Sequence, residues 1–244
     1  MVKKAPAPNS YILFEGPSQY DPSVNVVVIA TGLATPSTNT KTGGQIQTFI
    51  LRQDIAPHLA IKTGDDSAAC GKCPLRPVSY KANGLGKPCY VKTFQAPLSV
   101  WKAYHRGIYP VISLASFRAM LQGRSLRMGS YGDPASIPFE IWEAIGVGSS
   151  EIEWTAYTHG YLMPGFDERF LDVSMISLDP ISEKLPNLPV GRTFRAIETI
   201  QDLRPDEILC PGSREGGFRT TCKECGLCKG LARKAKNIAT VIHG

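Results

Sequence analysis

The chain has 244 residues, enough for one large domain or two small ones, and its 43% hydrophobic and 20% charged residues are typical of a globular protein, not a disordered one. A mean hydropathy of −0.10, without an apolar run near about 18 residues, argues against a membrane-spanning helix. The net charge of +6 permits an anionic partner without requiring one. No apolar stretch follows Lys3-Lys4, so we predict no signal peptide and a cytoplasmic location, in the host cell if the chain is phage-encoded.

The first half of the chain is predicted to contain strands and then helices. Residues 1–10, with two lysines and alternating Ala and Pro, are expected to form a flexible arm. β-branched runs and helical periodicity then predict strands over 11–14, 25–30 and 46–52, and helices over 97–106 and 113–121. Ser113 is a plausible N-cap for the second helix.

The second half predicts βα units. Strands are expected over 126–130, 153–158, 171–176 and 193–197, and a helix over 136–145. Strands separated by helices or long crossovers favour an α/β fold whose parallel sheet resembles a partial (β/α) barrel with Cys-rich metal-binding loops. We expect one α/β domain over 11–244, comprising N-terminal strands with a first Cys cluster (11–110), βα units (111–209) and a C-terminal Cys cluster (210–244).

Seven cysteines fall in two groups, and in a reducing compartment such clustering favours metal ligands over disulfides. We call the C-terminal group the cysteine quartet: Cys210, Cys222, Cys225 and Cys228. Its C-x2-C-x2-C spacing with a distant Cys-Pro is typical of iron–sulfur ligation and favours a [4Fe–4S] cluster. Zinc is the alternative, and His243 could replace Cys210 in a Cys₃His zinc site.

The first group, which we call the cysteine trio, comprises Cys70, Cys73 and Cys89. Three ligands leave a fourth position open, as in catalytic metal sites. Water, a substrate or one of several nearby side chains could fill it: His58, His105, Asp65 or Asp66. The two groups could also share one or two centres.

Polar residues at predicted strand ends are candidates for catalysis, because ligands of parallel α/β folds bind there. We select Asp133, His159 and Tyr157, with Asp133 and His159 as an acid/base or ligand pair. Asp133-Pro134 and Asp179-Pro180 are also ordinary turn or N-cap sequences.

Three cations are candidates for binding a cofactor: Lys41, Arg127 and Arg195. Lys41 lies in a loop of hydroxyl residues and glycines that suits an anion, although a simple turn explains it too. The two arginines interrupt apolar strands, so each needs an anionic ligand or an acidic partner, such as Asp133 or Glu198. The basic C-terminal segment, which includes Lys229, could contact phosphates or form a solvated helix face.

Residues 65–244 resemble a group of uncharacterised phage and plasmid proteins that are distantly similar to the radical S-adenosylmethionine barrel. The segments that carry the resemblance are 126–133, 155–159 and the quartet with its flanks, from Cys210-Pro211 to His243. The resemblance implies a mobile-element origin, a metal centre and a partial barrel, and the residues carried over from it are Asp133, His159 and the cysteines. It makes S-adenosylmethionine a candidate cofactor, although the C-x3-C-x2-C loop typical of enzymes that cleave it is missing.

These patterns lead to three functional hypotheses. The first is a phage-type iron–sulfur protein that acts as an enzyme on a nucleotide or nucleic acid. The second is a zinc-stabilised accessory protein that binds nucleic acid without catalysis. The third is a zinc-containing base-exchange enzyme with Asp133 as nucleophile or base.

Overall fold

A computed structural model describes residues 7–82, 89–185 and 187–242 of the chain. It is a mixed α/β structure with two five-stranded sheets. The strands are β1 (Ser10–Pro17), β2 (Asn25–Thr31), β3 (Ile46–Arg52), β4 (Ser125–Tyr131), β5 (Glu153–Thr155), β6 (Tyr157–Thr158), β7 (Met175–Leu178), β8 (Thr193–Ile197), β9 (Glu207–Leu209) and β10 (Asn237–Val241).

The first sheet has the order β1-β2-β3-β4-β5. Its first three strands are antiparallel, while β3, β4 and β5 run parallel to one another. The second sheet has the order β6-β7-β8-β10-β9 and is parallel throughout. The predicted α/β class with parallel strands is therefore confirmed.

Ala156 alone separates β5 from β6, so one stretch of chain leaves the first sheet and enters the second. Its N–H donates to the carbonyl of Cys228 at 3.0 Å, and its own carbonyl accepts from the N–H of Met175. The loop with Cys222, Cys225 and Cys228, which we call the quartet loop, is thus attached to the junction between the sheets.

The helices surround the sheets. The α-helices are α1 (Pro57–Thr63), α2 (Ser67–Cys70), α3 (Pro77–Ala82), α4 (Ala96–His105), α5 (Leu114–Leu121), α6 (Phe139–Ala144), α7 (Phe170–Val173) and α8 (Cys222–Cys225). Short 3-10 helices occupy Thr40–Thr42, Pro134–Ser136, Gly160–Leu162, Ser182–Lys184, Ile200–Asp202 and Gly230–Ala232. None of the helices in these three ranges combines the length and apolarity required to cross a bilayer.

Both faces of the first sheet are covered, which explains why its strands are apolar at consecutive positions. In β2, Val26 and Val28 pack into the larger core with Trp142, whereas Val27 and Ile29 pack on the other face near α4. Trp142 is buried, and its indole N–H is satisfied by a 3.0 Å hydrogen bond to the carbonyl of Pro134.

Most predicted elements lie within a few residues of their observed bounds, and Ser113 caps α5 by accepting the N–H of Ser116. The strand predicted over 171–176 is wrong, because 170–173 form α7 and β7 begins at Met175. Phe170, Leu171 and Val173 are all buried, and the N–H of Ser174 donates to the Phe170 carbonyl at 2.8 Å, which closes one helical turn. The helix predicted over 136–145 covers only 139–144, and β9 and β10 were not predicted.

Candidate metal centres

Two quartet cysteines lie at the ends of α8. Thr221 and Glu224 form a capping box at its start: the Thr221 hydroxyl accepts the N–H of Glu224, and the Glu224 carboxylate accepts the N–H of Thr221. Gly226 ends the helix with φ of 57°, a left-handed conformation that favours glycine. Cys222 and Cys225 are therefore held on one short, capped turn.

The other two quartet cysteines are buried against the second sheet. The N–H of Cys210 donates to Ala239 of β10 at 2.8 Å, while the carbonyl of Cys228 accepts from Ala156. Both side chains pack with Met175 and Ile238. Two separate segments of backbone, one with Cys210 and one with Cys222, Cys225 and Cys228, thus supply the quartet.

The quartet thiols lie close enough to affect one another's ionisation. Burial first, and then its three quartet partners, raise the pKa of the Cys228 thiol to about 12, although a hydrogen bond with Tyr157 lowers it. All seven cysteines of the chain are free thiols. The convergence of the quartet thiols on one metal centre stays a prediction.

Two buried guanidinium groups accompany the quartet. Arg127 donates to the Tyr90 hydroxyl at 2.6 Å, lies 5.7 Å from the Tyr157 ring, and has its pKa raised, against the effect of burial, by Tyr90, Tyr157, Cys222 and Cys228. Arg192 donates to the carbonyls of Leu227 and Gly230 in the quartet loop. Among the described residues, neither arginine forms an ion pair with a carboxylate.

The trio lies at the opposite edge of the first sheet, beyond the carboxyl end of β4. The chain before Cys70 is held there because Asp133 N–H donates to the Ala69 carbonyl at 2.7 Å. Burial, then Asp66, Cys73 and Cys89, raise the pKa of the Cys70 thiol. The three trio thiols therefore share one environment.

The structure places His159 beside the trio, a neighbour that spacing in the sequence did not indicate. Its Nε2 lies 4.0 Å from Cys73 Sγ and 3.7 Å from the Asp179 carboxylate. Burial lowers the pKa of His159, but Cys73, Asp179 and Asp133 together raise it to about 10.

Three of the four side chains that we considered for the fourth trio position have other contacts, and the buried Nδ1 of His58 has no hydrogen-bond partner among the described residues. His105 on α4 bonds to the Gln53 carbonyl, and Asp65 accepts the hydroxyl of Thr63. Asp66 lies near Cys70 but is paired with the Arg76 guanidinium. His58 lies on α1.

Asp133 has the geometry of a cap. Its carboxylate accepts the Ala135 N–H, the Thr158 hydroxyl and the His159 N–H at 3.0, 2.8 and 2.7 Å. Burial raises its pKa despite these bonds. Asp133 thus joins the ends of β4 and β6 and fixes the backbone of His159.

Asp179 caps the following turn in the same way, accepting the N–H groups of Ile181 and Ser182. Tyr157 lies elsewhere: it packs edge to face on Phe194 with ring centroids 4.7 Å apart, next to Cys228. The strand alternates its faces, so the three residues predicted as catalytic divide between the two centres, with Asp133 and His159 at the trio and Tyr157 at the quartet.

The predicted cation sites also differ from one another. Arg195 is buried in an ion pair with Glu207, with Glu183 as a second partner at 3.2 Å, instead of the expected Asp133 or Glu198. Lys41 is exposed on the 3-10 turn Thr40–Thr42, where it lowers the pKa of Cys222, a thiol whose pKa is raised chiefly by burial.

Lys229 is not on a solvated helix face. It is buried, paired with Glu153, and its ammonium lies 4.9 Å from the Trp154 ring. The segment that follows contains only the 3-10 turn Gly230–Ala232 before β10 begins.

A cavity of about 540 Å³ opens at the amino-terminal ends of β3 and β4. Its cationic lining residues are Arg124 and Lys223, and hydroxyl and amide groups come from Ser37, Thr38 and Asn39. A Cβ at Gly43 in this wall would overlap the Thr221 hydroxyl, so the predicted anion loop packs directly on the segment that leads into α8.

As their side chains are placed, residues 7–82, 89–185 and 187–242 contain no group of three His, Cys, Asp or Glu arranged around a single ion. His243, considered above as a ligand, lies outside the described residues. No protein-family model, curated protein or solved structure matches this chain. The structure itself defines a mixed α/β protein with two separate clusters of free thiols.

Proposed function

We propose that this chain is an iron–sulfur protein whose cysteine quartet binds a [4Fe–4S] cluster. The observation that carries the proposal is the position of Arg127 and Arg192, two buried guanidinium groups beside four thiols and without a carboxylate partner among the described residues. A buried cation is costly unless a negative charge compensates it. Four thiolates around a dipositive core, either a [4Fe–4S]²⁺ cluster or a zinc ion, leave two negative charges that match the two guanidinium groups. The charges therefore support an all-thiolate centre, and the cysteine spacing selects the cluster.

The spacing of the quartet favours a cluster over a single zinc ion. Cys222, Cys225 and Cys228 follow one another on a single loop, while Cys210 precedes a proline in a distant segment. Three closely spaced ligands with a separate Cys-Pro are typical of ferredoxin-like clusters, whereas zinc sites commonly use two separated C-x2-C turns.

The cavity beside α8 supports a nucleotide or nucleic acid as the substrate. Lys223 lies between the two cysteines of α8 and also lines the cavity, so a bound phosphate group would approach the cluster. Arg124 provides a second cation, and the described lining residues include no carboxylate. We therefore place the substrate of the proposed enzyme at this cavity.

The decisive test is anaerobic purification followed by iron, sulfide and visible-absorbance measurements. We expect a brown protein with about four irons and four sulfides per chain. Cys225→Ser should lose the colour and the iron, while Cys73→Ser, the matched change in the trio, should retain them. Colourless wild-type protein without sulfide would refute the cluster.

Nucleotide binding can be measured by calorimetry with a nucleoside triphosphate at low and moderate salt. Arg124→Ala and Lys223→Ala should each weaken binding roughly tenfold, because each removes one phosphate-binding cation. Lys62→Ala, an exposed lysine in the last turn of α1, serves as the control. Equal affinity in all four proteins would exclude this cavity as the binding site.

A second candidate function is a zinc-stabilised accessory protein that binds nucleic acid. It is favoured by exposed basic residues around the quartet, namely Lys223, Arg233, Lys234 and Lys236. Neutralising Arg233 and Lys234 should then reduce the salt dependence of single-stranded DNA binding by about one phosphate contact each. Lys229 is unsuitable for this test because it is buried against Glu153.

A further inference from the structure

We propose that His159 completes a second metal site with the cysteine trio, forming a closed Cys₃His zinc centre. The sequence suggested the three thiols, but the fourth ligand comes from the end of β6, 86 residues after Cys73. This site does not depend on the iron–sulfur cluster that we propose at the quartet.

The geometry between His159 and Cys73 suits a shared ion. Zinc bonds of about 2.3 Å to sulfur and 2.0–2.1 Å to nitrogen, at a tetrahedral angle, place these two atoms roughly 3.6 Å apart. The observed separation of Nε2 and Sγ is 4.0 Å, so closing the pair on a zinc ion requires only a small side-chain adjustment. Cys70 and Cys89 are near enough to Cys73 for it to raise the pKa of each thiol, after the larger effect of burial. These two side chains must also turn toward His159, since no three such groups among the described residues surround one ion as placed.

The backbone that carries the imidazole is held in place by Asp133. Asp133 accepts the backbone N–H of His159, and Thr158, which donates its hydroxyl to Asp133, accepts the N–H of Gly160. Asp179 lies 3.7 Å from Nε2, the nitrogen that would bind zinc, and its own oxygens accept hydrogen bonds from the Ser182 hydroxyl and N–H. Zinc binding therefore replaces the contact with Asp179 and leaves the hydrogen bond to Asp133 intact.

The charges around the trio favour a dication with a neutral fourth ligand. Asp133 and Asp179 are buried here, and the nearby Arg76 is already paired with Asp66. An all-thiolate centre would add a further negative charge beside these carboxylates. Imidazole adds none, so a Cys₃His zinc site fits this environment better than four thiolates do.

The test uses full-length protein and measures zinc and iron by mass spectrometry. We expect about one zinc per chain that is independent of the quartet. His159→Ala should lose this zinc while retaining iron, whereas Cys225→Ser should lose iron while retaining zinc. His105→Ala, which changes a histidine bonded to a backbone carbonyl, should retain both.

A second readout uses cobalt(II) as the probe. In wild-type protein stripped of zinc, added cobalt should give thiolate-to-cobalt charge-transfer bands and tetrahedral ligand-field bands. His159→Ala should lose or shift these bands, and the iron retained at the quartet controls for a folding defect. His159→Cys should bind cobalt more weakly than the wild type, because a fourth thiolate adds negative charge beside Asp133 and Asp179. Undiminished zinc and an unchanged cobalt spectrum in His159→Ala would overturn the proposal, as would a wild-type protein in which the trio binds neither metal. Zinc bound without any iron would contradict the proposed cluster but leave this site intact.

Discussion

The quartet and the trio contain the same chemical group in opposite electrostatic surroundings. Buried guanidinium groups of Arg127 and Arg192 accompany the quartet. Buried carboxylates of Asp133 and Asp179, with one imidazole between them and Cys73, accompany the trio. Cysteine spacing alone would assign metals to both groups without distinguishing them.

Under the two proposals, the charged neighbours of each thiol cluster select the net charge of the proposed centre. Cations beside the quartet stabilise a centre with net negative charge, as an all-thiolate cluster has. Carboxylates beside the trio disfavour such a centre and favour a site with a neutral ligand. The following predictions test this contrast, from the largest expected effect to the smallest.

Removing a quartet guanidinium should have the largest effect. Arg127→Met leaves the anionic cluster without one of its buried counter-charges, which costs about 3–5 kcal/mol of folding free energy. The iron content and the midpoint of anaerobic denaturant unfolding should both decrease. Arg118→Met is the control, because that arginine lies at the surface in a pair with Glu151. Full iron loading in Arg127→Met would mean that this guanidinium does not compensate the cluster.

Gly216 tests the position of Cys210. A Cβ at residue 216 would overlap the Cys210 carbonyl oxygen, so Gly216→Ala should displace this ligand and reduce iron content severalfold without affecting zinc. At Gly212 the nearest atom to an added Cβ is the Thr220 carbonyl oxygen at 3.1 Å, which a small shift can relieve. Gly212→Ala should therefore retain its iron, and equal loss in both variants would indicate a general folding defect.

Asp133→Asn tests how the trio is positioned. The amide replaces one acceptor oxygen with a donor, so His159 or Thr158 loses its partner at a cost of about 1–3 kcal/mol. Zinc affinity should decrease about 10- to 100-fold, as for other residues that orient metal ligands, while iron remains unchanged. A variant with unchanged zinc affinity that had lost activity would instead support Asp133 as a nucleophile or base.

Glu207→Gln, which removes the carboxylate partner of the buried Arg195, should have the smallest effect and also provides a pH test. Burial would raise the pKa of Glu207, but hydrogen bonds from Arg195 outweigh it and lower the value. This group therefore adds stability above the unfolded pKa of about 4.3, and that contribution disappears as pH decreases through the lower folded value. Glu207→Gln should be less stable at pH 7 and show a shallower acid dependence in thermal unfolding. Its iron content should stay at the wild-type level, since Arg195 has a carboxylate partner and the quartet arginines do not.

Local patterns determined much of the secondary structure. β3 has the predicted bounds of 46–52, and the apolar runs of β2 and β4 produced strands because both faces of the first sheet are buried. α7 could not be distinguished from a strand, because a short apolar run satisfies either periodicity. β9 and β10 are short segments, and only the pairing of β10 with β8 and of β9 with β10 identifies them as strands.

The sequence by itself determined which residues are candidate ligands, because the C-x2-C spacings and the Cys-Pro are local features. Tertiary structure decided what surrounds them. His159 approaches Cys73 because the ends of β4 and β6 lie side by side, joined by Asp133. Arg127 approaches the quartet because the chain passes from one sheet into the other at Ala156. Contacts between residues this far apart depend on strand order and burial, which no short pattern contains. The same cause explains why the partner of Arg195 on β8 is Glu207, which lies on β9 at the far side of β10 in the second sheet.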